Sequence, residues 1–417
     1  MSDYQTNPLW TRDFTILTLG SVISMFGNAM TGFAMSLMVL DLSKSTLLYA
    51  IYLAMYTLPQ LFMPIVSGAI LDRQSRKKTI YTLDFLSAGL YLLLAGLLAT
   101  GWFSFPVFAV YCFILGSIQS TYFVAYESFY PLLITEGNFQ KAYAIDSVLE
   151  TVSAVMVPVS AFLYRRVGLA PLMAANAVCF FLAAVVETRI RADEVYIETQ
   201  KETALAGAGK IKQVLADTRE GFAYLAEEKG LLAVTAYFGI ISVTGGVSNV
   251  ITLPWFKNSF PNGEYVYMIV WGLALAGRAV GGGFHYRVNI PAKARYRVAL
   301  AVYVLIAALE GFYLFCPVPL MAVMCFFIGL GGVTTYTIRI SAVQSYVPDE
   351  KKGRVTGAFN MLCTLGALLG ELAGGGLSTV LNERLVLMCF MLIQDLAALV
   401  IIGGSKKHVE LVYNRVE

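Results

Sequence analysis

The sequence predicts an all-α membrane protein, with twelve transmembrane helices in two pseudo-symmetric six-helix bundles. Three observations predict it. Of the 417 residues, 58% are hydrophobic and only 14% charged, where a soluble domain carries about 25% charged residues. Apolar runs long enough to cross a hydrocarbon layer of about 30 Å recur along nearly the whole chain. They are continuous, which favours helices over the short alternating strands of a barrel. Near the middle, a polar stretch of mixed charge from Thr188 to Gly230 separates six runs from six.

The spans follow in order, each bounded by charge or turn residues. The first, 14–40, follows the polar segment Met1–Asp13 and stops before Lys44; the second, 45–70, ends at the bases from Arg73 to Lys78. The third, 79–100, begins behind those bases. The fourth, 104–132, and fifth, 142–165, flank a polar turn that ends in Lys141, and the sixth, 169–187, runs to Thr188. After the break come 231–255, closed by Lys257; 264–288, closed by Arg287; 297–316; 318–346; 354–380, opened by Arg354; and 384–403, ahead of Lys406. The resulting plan is an N-terminal bundle 1–188, a cytoplasmic linker 189–230, a C-terminal bundle 231–404 and a cytoplasmic tail 405–417. In the linker, Ile211, Val214, Leu215, Thr218, Phe222 and Leu225 form a mostly apolar stripe at helical spacing, which reads as an amphipathic helix at the membrane surface.

With both termini inside, 23 of the 30 Lys and Arg residues fall on inner segments, five outside and two (Arg278, Arg339) within spans. That asymmetry sets the orientation and makes the protein multi-pass, with both ends cytoplasmic. The N-terminus lacks the pattern of a cleavable signal, so the first span is expected to stay. All six cysteines lie within spans in no metal-ligand spacing, and His285 and His408 are the only histidines. No metal site, no nucleophile with its base and no phosphate-cradling glycine loop is expected, so no enzyme either. The glycine runs Gly281–Gly283 and Gly374–Gly376 read as helix packing.

Gly68 and Gly281, and likewise Lys141 and Arg354, are separated by 213 residues, an offset suggesting tandem duplication. Between the second and third spans stand Gly68, Asp72, Arg73, Arg76 and Lys77. This cluster resembles the signature loop of the major facilitator superfamily, G-x-L-x-D-R-x-G-R-K, with Ser75 in place of its glycine and Ile70 in place of its leucine. A weaker second copy begins at Gly281, with His285 where the acid would be. The resemblance spans the chain and implies the major facilitator fold, a bacterial plasma-membrane location and a monomer. It also implies a latch: Gly68 lets backbones approach, Asp72 meets the start of the eleventh span near Arg354, and Arg76 bridges to acids of the third or fourth span, with Asp84 in reach. "TREGFAYLAEEKGLLAV", Thr218 to Val234, and "VPDEKKGRVTG", Val347 to Gly357, are similar to the macrolide and siderophore exporter branch. In the fifth span, "SAVMVPVSA" keeps Pro158 of the antiporter glycine-proline pattern but not its glycines.

A charge at membrane depth costs roughly 2.5–3.5 kcal/mol and calls for a partner, water or a function. Glu127, Asp146 and Glu150 lie at similar distances either side of the turn between the fourth and fifth spans, so antiparallel packing brings them to similar depth. Gathered acids are suited to carrying a proton. Arg339 lies one position from the 213-residue counterpart of Glu127, and the two are expected to form a gate between the halves. Tyr52 on the second span and Gln119, Tyr122 and Tyr126 on the fourth, with Asn28 on the first, are expected to line a central cavity for amphipathic or cationic solutes. Glu371 is expected to face that cavity or pair with Arg278. Glu187, Glu310 and Arg287 read as hydrated at span ends.

The expectation is a secondary active transporter with alternating access, exporting amphipathic small molecules and driven by the proton gradient without a cofactor. Its partners are the lipid bilayer and a small-molecule substrate, with no nucleic acid. Uptake of a small nutrient by proton symport, or lipid and lysophospholipid transport, are the alternatives.

Overall fold

The structure, a computed structural model, describes residues 8–71, 74–135, 138, 141–142, 145, 149, 156–192, 194, 207–288 and 290–415. Among the described residues every regular element is helical. Among the described residues eleven helical segments are long and apolar enough to cross a membrane. The twelfth expected, the fifth span at 142–165, is described as a helix from Met156 to Val167.

The helices begin and end where local chemistry allows. Helix α1, Arg12–Ser43, is capped by the Thr11 hydroxyl, which accepts from Phe14 N, and ends where Lys44 turns left-handed. The second span is broken into α2, Thr46–Thr57, and α3, Pro59–Leu71, because Pro59 has no N–H to continue the ladder. Helix α4, Arg76–Ala99, starts three residues earlier than its apolar run because Ser75 caps it. Helix α5, Phe105–Phe129, passes into a 3-10 turn at Tyr130–Leu133. Helices α6, Met156–Val167, and α7, Leu169–Glu187, meet at Gly168, whose φ of 77° suits glycine.

The chain divides into two compact units, Met1–Lys44 with Met55–Lys212 and Ser45–Ala54 with Gln213–Glu417. In the first unit α7 packs against both α1 and α4. Small residues on α1 permit this: a side chain at Gly20 would run into Glu187, and one at Gly27 into Asn176. Asn176 is fully buried and donates to Thr31 Oγ1 at 2.9 Å. Gly116 of α5 lies against the Tyr56 carbonyl. Phe14, Leu17, Ile80, Phe129, Tyr130 and Ile190 build the apolar core at one end.

The second unit contains α8, Gly207–Glu227; α9, Lys229–Ser259; α10, Gly263–Arg287; α11, Ala292–Phe312; α12, Val318–Tyr346; α13, Asp349–Leu377; α14, Glu383–Ala397; and α15, Lys406–Tyr413, with α8 entering it from Gln213. Glycines set its two tightest contacts. Between α9 and α13, Gly246 faces the Ala367 carbonyl and Gly370 the Val243 carbonyl; between α10 and α12, Gly277 faces Phe326 and Gly329 faces Ala274. A Cβ at any of these would strike backbone, so each glycine is what lets its helix approach. The glycine runs contribute unevenly, since Gly281 and Gly374 are close to neighbours while Gly282, Gly283 and Gly376 face open space. Helix α8 docks through Gly221 on the Arg354 carbonyl, while Arg354 bridges Asp217 at 3.0 Å and Glu220 at 2.7 Å. The C-terminal segment also packs as a helix: Val409, Val412 and Tyr413 are buried, and the Tyr413 hydroxyl meets that of Tyr303 at 2.8 Å.

Candidate functional site

Within the first unit α1, α4, α5 and α7 enclose a cavity of about 180 Å³. Asn28 projects into it from α1 and is held at both ends of its amide. It donates to Gln119 Oε1 at 3.4 Å and accepts from the Tyr91 hydroxyl at 3.1 Å. Tyr122 and Tyr126, one turn apart on α5, line the wall with nearly parallel rings, 6.1 Å between centroids and 14° between planes. The stack continues to Tyr130 at 5.2 Å. Glu127 and Asp84 line the same cavity, with Ser21, Ser24 and Ser87, and among the described residues no lysine or arginine lines it. Its described lining therefore combines π faces, carboxyl groups and hydroxyls, a surface that attracts organic cations.

Asp84 lies elsewhere than the sequence suggested. Eight residues along a helix carry it about 12 Å from Arg76 and turn it by about 80°. Rather than bridging to Arg76, it accepts from Ser24 Oγ at 3.4 Å and pairs with the Glu187 carboxyl. Glu187, expected to be hydrated at a span end, is 1% exposed, as is Asp84. The fold explains the burial: α7 ends at Glu187 beside Gly20 of α1, and the linker leaves through Ile190, which is itself in the core. Acids in otherwise apolar spans were visible in the sequence; that these two meet was not.

The expected latch residues take varied positions. A side chain at Gly68 would meet no atom within 4 Å, so the close backbone approach expected there is not found among the described residues. Asp72 and Arg73 lie outside the described residues, as do Asp146 and Glu150. Arg76 Nη1 donates to the Ser128 carbonyl at 2.8 Å, and Lys77 Nζ to the Ala192 carbonyl at 2.9 Å. The acid beside them is Glu194 of the linker. It accepts from Arg76 N at 2.7 Å and Lys77 N at 3.3 Å and bonds the Ser75 hydroxyl, so a carboxylate caps the positive end of α4.

The remaining candidates belong to the second unit. Arg339 is clasped by aromatic faces, its guanidinium 4.7 Å from the Phe238 ring, 4.6 Å from Phe359 and 5.5 Å from Tyr336. Tyr52 is buried, its ring 5.9 Å from Tyr49, and Glu371 is buried on α13 where Gly246 crosses. Arg278 lines a separate cavity of about 490 Å³ with Glu310, Phe238, Tyr303 and Tyr336. Glu310, also expected to be hydrated, accepts there from Ser248 Oγ at 2.7 Å. Among the described residues no cluster of three or more His, Cys, Asp or Glu is placed to hold a metal ion.

A family model described as Major Facilitator Superfamily matches residues 17–371. The chain is similar to the uncharacterized MFS-type transporter YkuC of Bacillus subtilis (strain 168), at 25% identity over 280 residues. That match covers 65% of this chain and 64% of YkuC, just under two thirds of the relative's own length. Among solved structures it is similar to the nucleoside transporter NupG, with a TM-score of 0.68 at 14% identity, covering 95% of this chain and 99% of that one. A point mutant of NupG gives 0.66 at 13% identity over the same shares. At such identities the likeness is one of fold.

Proposed function

Because the chain belongs to the Major Facilitator Superfamily, a family of membrane transporters, we propose that it is a secondary active transporter working by alternating access, which exports amphipathic small molecules in exchange for protons. The observation that carries this reading is the cavity of the first unit, which Asp84 and Glu127 line together with Tyr122, Tyr126 and Phe180. Stacked rings hold a flat apolar solute, and carboxyl groups favour one bearing positive charge. The same carboxyl groups are the residue type that exchanges protons at membrane depth. The resemblance of Thr218–Val234 and Val347–Gly357 to macrolide and siderophore exporters supports the outward direction. The excess of bases on alternate loops supports termini on the cytoplasmic side of a bacterial plasma membrane. No cofactor is invoked, and the functional unit is a single chain in the bilayer.

A second reading, uptake of a small polar nutrient with protons, is favoured by one feature. The Gln119–Asn28–Tyr91 hydrogen-bond chain is compact and polar, and the cavity of about 180 Å³ is smaller than the roughly 300–1,000 Å³ that drug-sized ligands occupy. Vesicles separate the two readings. In inverted membrane vesicles with an acidified lumen, export in exchange for protons predicts that ethidium, a planar organic cation, accumulates inside and leaves when the gradient is collapsed. Accumulation no greater than in vesicles without the protein would overturn it. Accumulation of radiolabelled uridine by right-side-out vesicles under external acid would establish the second reading.

A further inference from the structure

Asp84 of α4 and Glu187 at the end of α7 form a contact whose chemistry requires a proton. Each is 1% exposed. Among the described residues, neither oxygen of Glu187 receives a hydrogen bond from an N–H or hydroxyl group. The group within hydrogen-bonding reach is the Asp84 carboxyl. An ionised carboxylate is an acceptor only, so a hydrogen bond between the two exists only when one of them carries a proton. Two bare carboxylates in contact away from water would instead repel strongly.

Among the described residues the surroundings supply no counter-charge. From α1 come Ser24, which donates to Asp84 at 3.4 Å, and Gly20, whose missing side chain makes room for Glu187. From α5 come the Tyr122 phenol, buried beside Ser21, and Glu127 on the same cavity wall. From α4 itself, Tyr91 is engaged with Asn28. Among the described residues no Lys or Arg forms an ion pair with either acid. The two acids also differ in access, since Asp84 lines the cavity and Glu187 is not among the lining residues.

We infer that Asp84 and Glu187 together form the proton-binding site of the transport cycle, with Asp84 passing the proton between Glu187 and the cavity; this rests on the proton-coupled reading above. Loaded, the pair has one shared proton, a net charge of −1 and an O–H···O⁻ bond tying α4 to α7. When the proton leaves for cavity water through Asp84, the pair is two carboxylates with a charge of −2. The bond is lost, and repulsion presses the two helices apart. Helix α1 feels that separation through Gly20, since a Cβ there would lie only 2.5 Å from Glu187 Oε1. An organic cation entering beside Asp84 is favoured when the proton has left, which links the two cargoes to one site.

The test compares wild type, Glu187→Gln, Asp84→Asn and Glu127→Gln in proteoliposomes. Each amide keeps the shape and can still hydrogen-bond to its partner. Infrared titration of the protonated-carboxyl carbonyl stretch, from mildly acidic to mildly alkaline buffer, should show a titrating band in wild type and Glu127→Gln that is missing from both Glu187→Gln and Asp84→Asn. Ethidium flux driven by a pH gradient should fall about tenfold or more in those two variants. Exchange of ethidium for ethidium without a gradient should persist in Glu187→Gln, whose side chain is not among the cavity's lining residues, as a purely structural lesion would not allow. A band that survives in both variants, or gradient-driven flux in both equal to wild type, would overturn the assignment. Absence of ethidium flux from wild type would count against the export reading, while the infrared result still decides whether the pair holds the proton.

Discussion

At Gly20 a side chain would approach Glu187 Oε1 to 2.5 Å and its Cγ to 3.0 Å, so the α1 backbone itself fixes where the buried carboxyl sits. Gly20→Ala is therefore expected to lower stability by about 1–3 kcal/mol, the usual cost of forcing extra volume into a packed site. Removing the obstructing side chain in Gly20→Ala with Glu187→Ala should recover much of that loss, and thermal unfolding of the purified single and double variants measures the coupling. If Gly20→Ala melted like wild type, the placement of Glu187 against α1 would be wrong. At this scale the sequence was only partly legible. Asn28, Tyr122, Tyr126 and Glu127 stood out as polar or aromatic residues at helical spacing in apolar runs, and they do line one cavity. Glu187 was misread because its place at the end of an apolar run suggested solvent, whereas its burial depends on α1 and on the returning linker. A single chain gives no sign of which residue opposes a glycine.

Among the elements, α4 shows how an exposed-looking charge run can be organised locally. Arg76 is expected to bridge to acids of the third or fourth span, yet the first turn of α4 is held by Glu194 of the linker, which accepts two backbone N–H groups and bonds Ser75. Glu194→Ala should cost about 0.5–2 kcal/mol, the range for losing an N-terminal cap. Glu194→Gln, which keeps an acceptor but not the charge, should cost less. Unfolding midpoints of the two variants give the check, and equal, negligible shifts would show that the cap contributes nothing. The spans themselves were largely readable because each is a long apolar run between polar punctuation; the sixth, at 169–187, coincides with α7. The second span also stands as one crossing segment, Thr46–Gly68, with a local break before Pro59 that the apolar run does not reveal. In the tail, Val409, Val412 and Tyr413 are buried on the packed helix α15, a feature not expected from the sequence. The runs Gly281–Gly283 and Gly374–Gly376 read as packing in the sequence but the Gly246–Gly370 and Gly277–Gly329 crossings do not, because the partner of a small residue is a tertiary fact.

For the molecule as a whole, membership of a transporter family explains why the sequence carries chemistry without an enzyme's apparatus. Its described acids, serines and tyrosines line a cavity and join in hydrogen bonds such as Gln119–Asn28–Tyr91. Each unit contains a cavity with polar lining, one with Asp84 and Glu127, the other with Arg278 and Glu310. The proposed exchange links outward movement of an organic cation obligatorily to inward movement of a proton. Its most direct test is proton flux in proteoliposomes with a pH-sensitive dye sealed in the lumen. Ethidium added outside should raise lumenal pH as it enters and protons leave, and Asp84→Asn should abolish the change. A lumen that stays at constant pH while ethidium enters, or that acidifies with it, would contradict the account.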